Sequence, residues 1–174
     1  VARAESFNDQ MRLANKDLAA GDPDAAILKY KDLQTDDPES ALLQYNLGCA
    51  HMTKAEALVD KNAEDAAAEF KQAIDSCDQA IEAPDPQTRQ NAQFCRVNAN
   101  FLEAKSNLSA GKQEEAVKTL QGIVKEYEDF IKQYPEHEGA KRNLDHVRYL
   151  LKKMKQNPPP PQQDQQKQDQ QKQE

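Results

Sequence analysis

The chain has 174 residues, 37% hydrophobic and 30% charged, with no Trp and a net charge of −7. That length suits one domain, no apolar run approaches the roughly 20 residues a membrane-spanning helix requires, and an acidic chain with scattered Lys lacks the basic stripe of a nucleic-acid-binding surface. Cys49, Cys77 and Cys95 are too irregularly spaced for a disulfide framework or a CxxC zinc site, and the five Gly form no phosphate-cradling run.

Proline punctuates the rest. Pro lacks a backbone N–H and clashes with the preceding helical turn, so Pro23, Pro38, Pro84, Pro86 and Pro135 mark helix boundaries. The segments between them are dominated by Ala, Leu, Gln, Glu and Lys, and no alternating β-branched run argues for a strand. The chain therefore reads as all-α. In chain order, a helix over 3–19 ends at Gly21, and Asp22-Pro23 supplies an N-cap and a Pro at N1 for the next, 23–35. Asp36-Asp37-Pro38 closes it. Helices over 39–59, 63–83 and 87–109 follow, the last stopped by Gly111. Gln113-Glu114-Glu115 places acids in the first turn of a helix over 112–133. Pro135-Glu136 opens the seventh, 136–155, whose Leu144, Val147, Leu150, Leu151 and Met154 form one narrow apolar stripe.

Beyond Lys155 the composition changes. From Gln156 to Glu174 there is no apolar residue, and Pro158 to Pro161 form a run followed by Gln with alternating Asp and Lys. Four consecutive Pro favour a stiff polyproline II spacer. The remainder has nothing to bury and is predicted to be disordered. Two regions result: a helical domain over 1–155 and a Pro/Gln-rich tail over 156–174.

The helical part repeats. Residues 7–40 fit a helix–turn–helix unit of about 34 residues, with Leu13-Ala14, Gly21, Ala26-x3-Tyr30 and Pro38 in order. A second unit carries Tyr45-Asn46-Leu47-Gly48, then Ala66-x3-Phe70. A third carries Gly111, Ala116-x3-Leu120 and Pro135, with Val97 and Ala104 competing for the small position of its first helix. Small residues let the helices of a hairpin approach, and large ones fill the space one turn on. The pattern resembles the tetratricopeptide repeat (TPR). The resemblance implies an antiparallel helix-hairpin solenoid of about three units plus a C-terminal capping helix, two units having lengthened helices. A terminal helix with one apolar stripe is the expected cap of such a stack.

Ala140-Lys141-Arg142-Asn143-Leu144-Asp145-His146-Val147-Arg148-Tyr149-Leu150-Leu151, a Pro run and a Gln-rich tail, placed after such repeats, resemble the BatC-type proteins of bacterial aerotolerance (Bat) operons. That resemblance implies a non-enzymatic interaction scaffold in a cell-envelope complex with von Willebrand A domain proteins and a MoxR-class ATPase. It also implies an export or membrane segment upstream of Val1 and a location in the periplasm or on the periplasmic side of the inner membrane. An odd number of thiols argues for the alternative, a cytoplasmic location. Rival readings are an adaptor for outer-membrane assembly or secretion clients, and a structural protein that self-assembles end to end as a homo-oligomer.

No nucleophile–base motif accompanies His137, His146 or the carboxylates, so no catalytic residue and no cofactor site are expected. Cys49 and His51 point about 200° apart on a helix and cannot face one ion, so no metal site is expected either. The groove lined by the first helix of each hairpin is the candidate partner-binding site. Carried over from the repeat, its residues are Arg12 and Asn15; Tyr45, Asn46, Cys49 and Met52; Phe94 and Asn98; and Arg142, Asn143, His146 and Tyr149. Of these, Phe94 and Asn98, together with Phe101, follow if the third unit is anchored on Val97. Aromatic, amide and Arg side chains suit a peptide held by backbone and side chains together. The competing expectation makes Phe94, Phe101 and Tyr149 core residues. Met11 stands where a carboxylate-clamping repeat carries Lys, which argues against that type of groove.

Overall fold

The computed structural model describes residues 6–156, and within them seven helices form and no strand. These are α1 (Phe7–Ala19), α2 (Pro23–Leu33), α3 (Ala41–Leu58), α4 (Ala63–Ala80), α5 (Pro86–Ser109), α6 (Gln113–Gln133) and α7 (Glu138–Gln156). The expectations for residues 1–5 and for the Pro- and Gln-rich run from 157 onward lie outside the described residues.

Local chemistry sets the helix ends. The Ser6 hydroxyl accepts the Asp9 amide at 3.3 Å, so α1 starts at Phe7 and not at residue 3. Asp22 accepts the Ala25 amide at 3.0 Å, Asn62 those of Glu64 and Asp65 at 3.2 Å, and Asp85 that of Thr88 at 2.7 Å. Each such cap contributes about 1 kcal/mol by satisfying an amide that the first turn leaves without a partner. Gly21 (φ 83°) and Gly111 (φ 78°) end α1 and α5 in the left-handed region. There Asp22 N–H donates to the Asp17 carbonyl at 3.0 Å and Lys112 N–H to that of Asn107 at 2.9 Å, the same closure in the first and third hairpins. Other ends also differ from the sequence-based boundaries, α3 among them, which starts at Ala41 and not at 39. α2 stops at Leu33, where the Thr35 hydroxyl turns back onto the Asp32 carbonyl at 2.7 Å. α4 stops at Ala80, and the Arg89 side chain donates to the carbonyls of Ala83 and Pro84. α7 starts at Glu138 and not at 136, because His137 is its cap: Nδ1 accepts the Ala140 amide at 3.0 Å.

Sequential helices pack as hairpins, α1 on α2, α3 on α4 and α5 on α6, and each hairpin also meets the next. First helices touch across units (α1 with α3, α3 with α5, α5 with α7), whereas α2, α4 and α6 make no contact with one another. First helices therefore lie on the inside of a curved stack. α1 and α2 have 13 and 11 residues, α3 and α4 have 18 each, and α5 and α6 have 24 and 21, so the second and third hairpins are the lengthened ones.

The paired small and large positions fill the hairpin interiors: Ala26 with Tyr30, Ala66 with Phe70 and Ala116 with Leu120 are all buried. Both Val97 and Ala104 are buried, so the third hairpin uses each in its core. α7 closes the stack with Ala140, Leu144 and Val147 against Phe101, Ile123 and Tyr127, and Leu150, Leu151 and Met154 extend that contact half-buried. Burial of a Leu or Val side chain of this kind is worth about 1.5–3 kcal/mol. The α4–α5 contact lies among smaller side chains, with Ala73, Cys77 and Ala80 of α4 and Ala92, Cys95 and Ala99 of α5 all buried.

Candidate functional site

An arrangement of tyrosine and asparagine side chains occurs twice on the inner side. In the first, the Tyr30 hydroxyl of α2 donates to Asn15 Oδ1 of α1 at 2.5 Å, and Asn46 Nδ2 of α3 donates to the same oxygen at 3.3 Å. In the second, Asn143 Nδ2 of α7 donates to Asn98 Oδ1 of α5 at 3.0 Å and to the Tyr127 hydroxyl of α6 at 3.2 Å. Each set joins a first helix, its second helix and the following first helix. The two hydroxyls are buried with their rings, and burial pushes the Tyr30 phenol up to about 12 and the Tyr127 phenol above its usual range, so both stay protonated. Between the sets, Asn98 Nδ2 points to the Met52 sulfur at 3.6 Å, and Asn46 Nδ2 approaches the Met11 sulfur at 4.0 Å.

Asn15 Nδ2, Asn46 Oδ1 and Asn143 Oδ1 take no part in these bonds. Asn15 is exposed and the other three amides are half-buried. The sequence-based candidates are thus brought together in two separate sets, Asn15 with Asn46 and Met52 with Asn98 and Asn143. Met11, which approaches Asn46, is itself a buried core residue. Tyr30 and Tyr127, which hold the amides, were not among the expected site residues. Their hydrophobic spacing marks them as core, and only the hydroxyl at the end of the ring reaches the inner face.

The remaining candidates differ in setting. Arg12, Arg142 and His146 are exposed, and Tyr149 is 61% exposed, so Tyr149 is no core residue. Phe101 is core, 3% exposed, with the His146 ring against its edge at 5.4 Å and the Lys105 ammonium 5.7 Å from its centroid. Phe94 is half-buried and belongs to an aromatic cluster under the α6–α7 turn, 4.3 Å from the His137 ring and 5.8 Å from that of Phe130. Its ring is covered by the turn instead of open to a groove.

Cys49 and Tyr45 are both half-buried on α3, whereas Cys77 of α4 and Cys95 of α5 are buried. Burial raises the Tyr45 phenol above its usual range. Among the described residues, no three His, Cys, Asp or Glu side chains are arranged to hold a metal ion.

His51 faces away from Cys49, as the helical angle between them requires. It is 4% exposed, and its Nδ1 lies 2.5 Å from Glu69 Oε2 of α4. Lys54 bridges Glu69 and Asp24 of α2, both at 2.8 Å. Burial alone raises the Glu69 carboxyl, but its bonds to Lys54 and His51 outweigh that and hold it below its usual value. This network ties three helices on the outer side of α3 and shares no side chain with the amides. No protein-family model matches the chain, and no curated protein matches it.

Proposed function

We propose that the chain is a non-enzymatic TPR-type scaffold that holds an extended segment of a protein partner along the face formed by its first helices. The observation that supports this most is the pair of tyrosine-anchored asparagine sets. A peptide backbone needs both donors and acceptors, and the amide atoms left over from the internal bonds supply both. The anchoring bonds fix their rotamers before binding, which lowers the ordering entropy a ligand must meet. Exposed Arg12, Arg142, His146 and Tyr149 on the same helices offer side-chain contacts.

The α7 sequence and the Pro/Gln-rich run after it support the Bat-type reading. In it the partner is an envelope protein with a von Willebrand A domain, the location is the periplasmic side of the inner membrane, and the tail is a tether that raises the local concentration of a second contact.

The test is a peptide array of random extended sequences probed with the wild-type chain, with Tyr45→Ala/Asn46→Ala, and with an outer-face control, Lys71→Ala. The expected result is a loss of at least about tenfold in binding, equivalent to about 1.4 kcal/mol, for the double variant alone, with a melting curve close to wild type. Equal binding by all three chains would overturn the groove assignment.

A further inference from the structure

Among the described residues, one buried side-chain polar atom has no hydrogen-bond partner, Oε1 of Gln93 on α5. A buried acceptor left unmatched costs stability, and few native groups are left so. Gln93 lines a cavity of about 250 Å³ between the C-terminal end of α4, the first half of α5 and the second half of α6. That is below the roughly 300 Å³ at which drug-sized sites begin, so the space suits a single side chain.

The apolar part of the lining comes from Ile81, Val97 and Phe130, the last two buried. The polar part is richer in acceptors than in donors. Arg96 joins the two second helices, with Nε on Asp78 Oδ1 of α4 at 2.8 Å and Nη1 on Glu126 Oε2 of α6 at 2.9 Å. Asp129 gives Oδ1 to Lys132 at 2.8 Å, in a largely exposed pair that contributes little. Three carboxylates thus stand against two cations, beside an amide oxygen with no donor.

We propose that this cavity receives the side chain of one arginine of a protein partner. Its acceptors are Gln93 Oε1 and the remaining oxygens of Glu126 and Asp129. An arginine meets three demands together. Its guanidinium is a planar fork of donors with no acceptor, so it serves acceptors on α5 and α6 at once. Its charge offsets the excess of carboxylate. Its methylenes and flat face suit an apolar lining that includes the Phe130 ring. A lysine brings a point charge on a flexible stem and matches fewer of these acceptors. The cavity shares no residue with the asparagine sets.

The test titrates the isotope-labelled full chain with N-acetyl-arginine methylamide and follows its amide spectrum, the Gln93 side-chain amide included. Saturable shifts are expected at Gln93, Val97, Phe130 and Gln133. The lysine and citrulline analogues are expected to bind at least about tenfold more weakly. Gln93→Leu keeps the shape and removes the acceptor. It is expected to weaken the arginine probe at least about tenfold and to leave the urea midpoint equal or higher, since an unmatched acceptor is gone. Asp129→Asn is expected to weaken the probe about threefold. Absence of saturable shifts, shifts confined to residues away from Gln93, equal binding of either analogue, or unchanged binding by Gln93→Leu would each overturn the proposal. So would a lower urea midpoint for Gln93→Leu, which would mark Oε1 as bonded to an internal water. No readout involves the inner-face asparagines, so this proposal and the scaffold reading fail independently.

Discussion

The sulfur of Cys77 on α4 lies 2.5 Å from the point that a β-carbon on Gly48 of α3 would occupy, with the Ala73 carbonyl oxygen 3.2 Å from the same point. The two helices meet there because one residue has no side chain and the other has a short one. Gly48→Ala improves helix propensity by about 1 kcal/mol, but overpacking of this kind costs about 1–3 kcal/mol. A net destabilisation of up to about 2 kcal/mol is expected, read as a lower urea midpoint. Gly48→Ala/Cys77→Ala should recover part of the loss by removing the sulfur.

Gly122 gives the opposite sign. It is exposed in the middle of α6, and a β-carbon there meets nothing within 4 Å. Gly122→Ala removes the entropy disadvantage of glycine without any contact to strain. A gain of about 0.5–1 kcal/mol is expected in urea unfolding.

The His51–Glu69–Lys54–Asp24 network predicts a pH dependence. The Glu69 carboxyl is held below its usual value in the folded chain. Its contribution is therefore complete above the unfolded-state value, near 4.3 for an ordinary glutamate, and is lost as pH falls through the lower folded value. Glu69→Gln is expected to lower stability by about 1–3 kcal/mol at neutral pH. The gap to wild type should close as the pH drops below about 4. Melting temperatures of both chains from pH 7 to pH 3 check this, and a constant gap would refute it.

His137 carries two functions in one ring: its Nδ1 accepts the Ala140 amide, and its faces and edges meet Phe94 and Phe130. His137→Ala removes both, with an expected loss of about 1–2 kcal/mol. His137→Asn restores an amide acceptor at the cap but not the ring contacts, and should fall between the alanine variant and wild type. The Ala140 amide also donates to the His137 carbonyl at 3.1 Å, so amide hydrogen exchange there should show a partial loss of protection in the alanine variant alone.

Local elements were legible from residue chemistry. Gly21 and Gly111 follow helix-forming runs and take positive φ at the helix ends. Asp22-Pro23 has the chemistry of a cap followed by N1, and Asp22 bonds as a cap. Ala26, Tyr30, Ala66, Phe70, Ala116 and Leu120 stand at the interior positions of the repeat pattern and are buried. The cap of α7 was not legible, because a histidine serves as an N-cap only when its ring is turned by neighbours, here Phe94 and Phe130. The inner-face asparagines are readable in the sequence, but their tyrosine anchors are not. Tyr30 matched the repeat's interior position, while the corresponding residue of the third unit, Leu120, has no hydroxyl. Tyr127, two turns further along the lengthened helix, takes that part.

By itself, the order of residues determined what depends on near neighbours in the chain: helical class, the caps and glycine stops, the hairpin pairing and the apolar stripe of α7. These follow from hydrogen bonds and side-chain periodicity that span a few residues. The tertiary structure alone decided which distant side chains meet. Gly48 of α3 and Cys77 of α4 are far apart in the chain, and only the close approach of those two helices seats the Cys77 sulfur over the glycine. Asn15 meets Asn46, and Asn98 meets Asn143, only because first helices touch across hairpins while second helices do not. The acidic, modestly apolar composition is compatible with many helical stacks. The inter-helix distances, set by glycine, alanine and cysteine at the seams, select the one in which these groups share a face.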